Sequence, residues 1–155
     1  MKKPRYLLWI LGAEAVGVLS GLLSREGTAL FAQTAVQPPL SPPAILFPVV
    51  WTILYALMGI GAARIAAAEG SQQRSAALNV FVVQLVVNFF WSLIFFNARA
   101  YGFALVWLLL LWVLIIAMIL LFRRVDLVAA WLQVPYLLWV TFAAYLNYMV
   151  WLLNR

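Results

Sequence analysis

GFALVWLLLLWVLIIAMILLF, residues 102–122, holds no charged side chain, and its only polar handles are the indoles of Trp107 and Trp112. As a helix such a run is roughly 30 Å long, the thickness of a bilayer's hydrocarbon core. Working outward, four more runs of the same kind appear, about 6–23, 45–68, 76–96 and 127–153. The chain is 68% hydrophobic and 9% charged, where soluble domains carry about 25% charged residues. The expectation is an all-α integral membrane protein: a single domain, 1–155, folded as a five-transmembrane-helix bundle. The run 102–122 itself reads as lipid-facing scaffold.

The net charge of +6 does not point to nucleic acid, because the basic residues fall at helix ends rather than in one patch. Lys2, Lys3, Arg5, Arg64, Arg74, Arg123 and Arg124 fall on one side, and Arg25, Arg99 and Arg155 on the other. That bias predicts a cytoplasmic N-terminus and an external C-terminus. Helical spans suit a bacterial inner membrane, since outer membranes favour barrels. The opening MKKPRYLLWILGAEA imitates a secretory signal with a cleavage site at Ala13-Glu14-Ala15, but the acid and the apolar continuation to Leu23 mark a first membrane helix.

Cysteine and histidine are absent, which removes thiol chemistry and imidazole as base, metal ligand or haem ligand. The four acids, Glu14, Glu26, Glu69 and Asp126, are too scattered for a metal cluster. A conventional hydrolase or metalloenzyme is not expected, and no metal site is. Glu14 lies about two turns into the first helix, where a carboxyl is costly and marks either a proton or polar site or a structural hydrogen bond. Ala13, Gly17 and Gly21, four apart, suit close helix approach, within the chain or in a homodimer.

The segment 24–43 is longer than the connections usual in bundles. Five of the chain's seven prolines fall between 38 and 48. Pro38, Pro39, Pro42 and Pro43 push their preceding residues towards extended conformations, so the segment reads as a stiff strut. Pro42 or Pro43 can start the second helix.

Rare polar groups share faces. Gln84, Asn88 and Ser92 are four apart, with Trp91 and Phe95 alongside; Trp139, Ala143 and Asn147 repeat that spacing below Pro135 and Tyr136; Trp51, Tyr55 and Met58 line the second helix. Amides cannot face hydrocarbon unpaired, so they point inward. Two readings stay open: amides bonded to one another as helix glue, or a cavity with aromatic walls and a few placed polar groups. The aromatic residues favour a pocket for a large, flat, largely apolar ligand beneath the proline-rich segment. Trp9, Trp107, Trp131 and Trp151 read as interfacial anchors.

Three blocks, PPAILFPVVWTILYALMGIGA (42–62), QLVVNFFWSLIFF (84–96) and PYLLWVTFAAYLNY (135–148), resemble the translocator protein family. Its members are also known as tryptophan-rich sensory proteins or peripheral benzodiazepine receptors. The resemblance spans all five helices. It implies an often dimeric bundle that binds porphyrins or haem-like tetrapyrroles, with no required cofactor and here no His or Cys for iron. It also implies benzodiazepine-site ligands and, in animal members, cholesterol.

The candidate ligand-binding residues are Pro43, Phe47, Trp51, Tyr55, Gln84, Asn88, Trp91, Ser92, Phe95, Tyr136, Trp139, Ala143, Leu146 and Asn147, of which Trp51, Tyr55, Asn88, Trp91, Ser92, Trp139, Ala143 and Asn147 match the family's pocket positions. Pro38, Pro39, Leu40 and Pro42 belong to the lid. Trp51 and Trp139 are the candidates for light-dependent porphyrin breakdown. The family's loop reads W-Y-x-x-L-x-K-P-x-W-x-P-P, whereas Phe31, Ala32, Gln37 and Leu40 stand here at the aromatic and lysine positions. That implies a lid with fewer aromatic contacts and no cation for a propionate. Tyr148 lies too far from Arg155 for the cholesterol pattern, so no dedicated sterol site is expected. The function expected is a membrane receptor or sensor for a tetrapyrrole. The alternatives are a photo-oxidative enzyme, a transporter relying on Glu14, and a structural subunit.

Overall fold

The computed structural model describes residues 2–155. Its elements are α1 (Tyr6–Leu23), α2 (Arg25–Thr34), α3 (Leu46–Ala67), α4 (Gln72–Ser92), α5 (Tyr101–Phe122), α6 (Leu127–Trp131) and α7 (Val134–Leu153), with a π-helical turn, Leu93–Asn97, extending α4. Five helical segments are long and apolar enough to cross a membrane: α1, α3, α4 with its π turn, α5, and α6 with α7. The five-helix class is as expected, with three departures in detail.

The third span begins at Gln72, earlier than the expected 76, because Ser71 caps the helix by accepting a hydrogen bond from the Arg74 amide at 3.1 Å. The fifth span is broken at Leu132–Gln133. Pro135 has no amide to offer the preceding turn, so α6 stops and α7 starts afresh. The segment 24–43 is half helix rather than a strut throughout. REGTALFAQT forms α2, helped by Glu26 in its first turn, and the chain extends only at Ala35 as it nears Pro38 and Pro39. Leu40 then takes a left-handed φ of 69°, a conformation that costs a leucine roughly 1–2 kcal/mol.

In the bundle α1 packs along α3 and more lightly on α4, α4 packs on α5, and α5 on α7, while the short α6 bridges α5 and α3. Gly17 of α1 sits against the Tyr55 ring, with no space for a Cβ. Ala13 is also buried, whereas Gly21 faces open space. The small-residue register therefore serves contact within the chain over two of its three positions. The run 102–122 is not purely lipid-facing. Ala104, Leu108, Leu111, Ile115, Met118 and Phe122 are buried, while Phe103, Val106, Leu110 and Val113 are exposed. Lipid tails and helix interiors are equally apolar, so no change of residue type marks the buried face.

One end of the bundle is tied by polar contacts. Arg64 Nε donates to Asp126 Oδ2 at 2.7 Å, and Arg64 Nη1 to Tyr6 Oη at 3.3 Å. The Lys2 amide donates to the Ala67 carbonyl at 2.9 Å. The helix directions place Lys2, Lys3, Arg5, Arg64, Arg74, Arg123 and Arg124 at this end, and Arg25, Arg99 and Arg155 at the end bearing α2.

Candidate functional site

The polar and aromatic contacts of the bundle form three clusters, and most of the residues singled out from the sequence fall in them. The first is a buried hydrogen-bond chain joining α3, α4 and α7. Tyr55 Oη donates to Asn88 Oδ1 at 2.8 Å, Asn88 Nδ2 donates to Tyr136 Oη at 2.6 Å, and Tyr136 Oη donates to Gln84 Oε1 at 2.7 Å. Gln84 Nε2 points at Met58 Sδ, 4.0 Å away. Gln84 and Tyr136 are fully enclosed, and Tyr55 and Asn88 nearly so. Both amides of the α4 stripe thus find partners, but those partners are phenols. This is the glue arrangement, and two of the expected pocket walls, Tyr55 and Tyr136, take part in it as cross-helix ties.

Trp51 stands over this chain, its ring 5.7 Å from that of Tyr55 and 6.2 Å from that of Tyr136. Nearer the start of α3, Phe47 meets Trp139 edge-on at 5.7 Å. Between α3 and α7 an apolar cleft of about 400 Å³ opens, lined by Val50, Ile53, Leu54, Pro135, Leu138, Trp139 and Phe142. α3 and α7 meet through these rings rather than by close backbone packing, and that leaves the cleft between them. Pro43 is exposed where α3 is approached; Ala143 is buried and Leu146 half-buried along α7.

The second cluster lies around the π turn. Trp91 Nε1 donates to Asn147 Oδ1 at 3.1 Å, and Asn147 Nδ2 donates to the Tyr101 carbonyl at 2.9 Å. Phe95 stacks on Trp91 at 5.0 Å and leans on Tyr101 at 4.9 Å. Into this nest α2 inserts Phe31, 5.3 Å from both Phe95 and Phe96. Gly27 lets α2 settle against the Phe96 carbonyl. Phe31 thus supplies one aromatic anchor from this segment to the bundle, while Ala32 and Leu40 bring none. Ser92 is apart from the other site residues, its hydroxyl 2.9 Å from that of Ser20 on α1.

The third cluster pins the proline-rich strand to the end of α7. Asn154 Oδ1 accepts from the Val36 amide at 2.9 Å, and Asn154 Nδ2 donates to the Val36 carbonyl at 2.8 Å. Tyr145 Oη donates to the Pro39 carbonyl at 3.0 Å. Pro38 is buried, Pro42 half-buried, and Pro39 and Leu40 exposed. Asn154 and Tyr145 carry no local signal in the sequence, since nothing in a helix-end asparagine announces a partner 118 residues away.

Glu14 belongs to none of the three. It is half-buried on α1, and among the described residues no hydrogen bond reaches its carboxylate. Trp107 is more than an anchor, because its Nε1 donates to the Val87 carbonyl at 2.7 Å. Trp9 packs edge-on against Phe81, 6.1 Å away, whereas Trp131 is exposed.

The sequence of the TspO/MBR family matches this chain over residues 9–152. The tryptophan-rich protein TspO of Chlorobaculum tepidum is 38% identical, over 90% of this chain and 89% of its own length. Protein CrtK of Rhodobacter capsulatus is 40% identical, over 76% of this chain and 74% of its own. The translocator protein of Ovis aries is 38% identical, over 77% and 72%. The family match runs from the first turns of α1 to the last turn of α7 and takes in the first two clusters and all of the third except Asn154, and on that footing this chain, with its five membrane-length helices, belongs to the TspO/MBR family.

Proposed function

We propose that this protein is a membrane receptor that binds a porphyrin or other tetrapyrrole in the cleft between α3 and α7, beneath the lid formed by residues 24–43. The observation that carries the reading is the cleft itself. It has an apolar lining, Trp139 in its wall and a volume of about 400 Å³, within the range of small-molecule sites. The phenol–amide chain, packed against Trp51, ties α3, α4 and α7 together beside the cleft. The rings fit a flat macrocycle, which is held by offset or edge contacts with indoles. The lining residues carry no cation, so propionates would turn towards the lid and solvent, and affinity would rest on shape and ring contact. Iron would gain no His or Cys ligand. The orientation that suits the basic end is cytoplasmic, in a bacterial inner membrane.

The test is a dark titration of the purified protein in detergent with protoporphyrin IX. Tryptophan quenching is followed for the wild type, W51F and W139F and corrected for inner-filter absorption. Saturable binding weakened in W139F supports the reading; linear, unsaturable quenching in all three overturns it. Illuminating the saturated protein then separates a receptor from a photo-oxidative enzyme. Breakdown products that vanish in W51F and W139F while binding persists would make it an enzyme.

A further inference from the structure

At the end of the bundle remote from the lid, α3 runs out into the turn that leads to α4. There a pocket of about 380 Å³ is lined by Lys2, Arg74, Glu69 and the small residues Ala66–Ala68 and Gly70. We propose that it binds a phosphate anion at the membrane surface, supplied by the headgroup of an anionic phospholipid. This inference does not depend on the ligand at the lid end.

The pocket is held in place by hydrogen bonds on both sides. The Lys2 amide is fixed to the Ala67 carbonyl at 2.9 Å, which lays the N-terminal segment across the end of α3. Arg74 donates from Nε and Nη2 to the Ala66 carbonyl at 3.2 and 2.8 Å. A guanidinium has five N–H groups in a rigid fork, so Arg74 is oriented by two of them and keeps others for an oxyanion. The depth is right for a headgroup, because Ala67 ends one membrane-length helix and Gln72 begins the next. The N-terminus of α4 adds its partial positive charge. Glu69 is the one acid in the lining and opposes an anion. A zwitterionic headgroup offers the two cations no net charge, and its ammonium would meet Glu69 instead, so preference rests on the two cations outweighing the one acid.

The experiment reconstitutes the full chain in nanodiscs with equal phosphatidylglycerol and phosphatidylcholine, then measures by native mass spectrometry which lipid stays bound after release into detergent. Wild type should retain phosphatidylglycerol preferentially. K2Q and R74Q should each lose about fivefold in retention. E69Q should gain. K2Q leaves the backbone hydrogen bond to Ala67 intact, so it remains informative if R74Q does not fold. R123Q, which removes an exposed cation of the same end from the α5–α6 turn, should change nothing. A parallel arm adds inorganic phosphate. Displacement with the same variant pattern but no lipid preference would keep the phosphate site and overturn the lipid as its source. Equal losses in R123Q and K2Q, or no preference and no phosphate effect, would overturn the site and leave only a diffuse basic surface.

Discussion

Tyr136 is the pivot of the buried network, since its single hydroxyl accepts from Asn88 and donates to Gln84. Y136F leaves two buried amides short of a partner at once. Each such loss costs about 1–3 kcal/mol, and membrane interiors fall at the low end of that range. Thermal melts in detergent should therefore show Y136F well below wild type and Y55F, which breaks one bond, in between. An equal effect of the two would mean that the network fails as one unit whichever of its bonds is lost. A second contrast tests steric fit. G17V should destabilise by about 1–3 kcal/mol by forcing the Tyr55 ring aside, whereas G21V, facing open space, should leave the melting midpoint unchanged. At this scale the sequence was half legible. Period and polarity named Gln84, Asn88, Tyr55 and Tyr136, but which atom bonds which depends on helix rotations that no local pattern encodes.

Among the elements, the lid is anchored twice by different chemistry. Phe31 is held by aromatic edges around the π turn, and Val36 by the paired hydrogen bonds of Asn154. Ring pairs of this kind contribute roughly 0.5–1.5 kcal/mol each. F31A should raise amide exchange across α2, and N154A should raise it at 35–40, with the five spans unaffected in both. If N154A also loosened α2, the anchors would be one cooperative unit rather than two. The length and prolines of 24–43 marked an ordered connection rather than a loose one. They did not reveal that REGTALFAQT is helical, because attention to prolines hides the helix-forming residues before them. The break at Leu132–Gln133 was hidden likewise: Pro135 sat inside a run apolar enough to read as one helix.

Over the whole molecule, the two ends differ in what holds them. The lid end closes with rings and amides, while the other end ties α1, α3 and the α5–α6 turn through Arg64, Asp126 and Tyr6. The ion pair is partly shielded, with side-chain exposures of 28% and 10%. In a double-mutant cycle, R64Q and D126N should show a coupling of about 1 kcal/mol, read from denaturation midpoints. Additive effects would show that the pair contributes nothing beyond its separate contacts.

The amino-acid sequence by itself determined the number of spans, the helical class and which end carries the positive charge. Each follows from run length, composition or position, and lipid imposes helices on any chain of this kind. Its three blocks also carried the family. Only the tertiary structure decided which face of α5 is buried, that phenols satisfy the amides of α4, and where the cleft between α3 and α7 opens. In a membrane Leu against lipid and Leu against Leu are nearly equivalent, so faces are assigned by shape and by the pairing of a few polar atoms, which exist only once the helices have met.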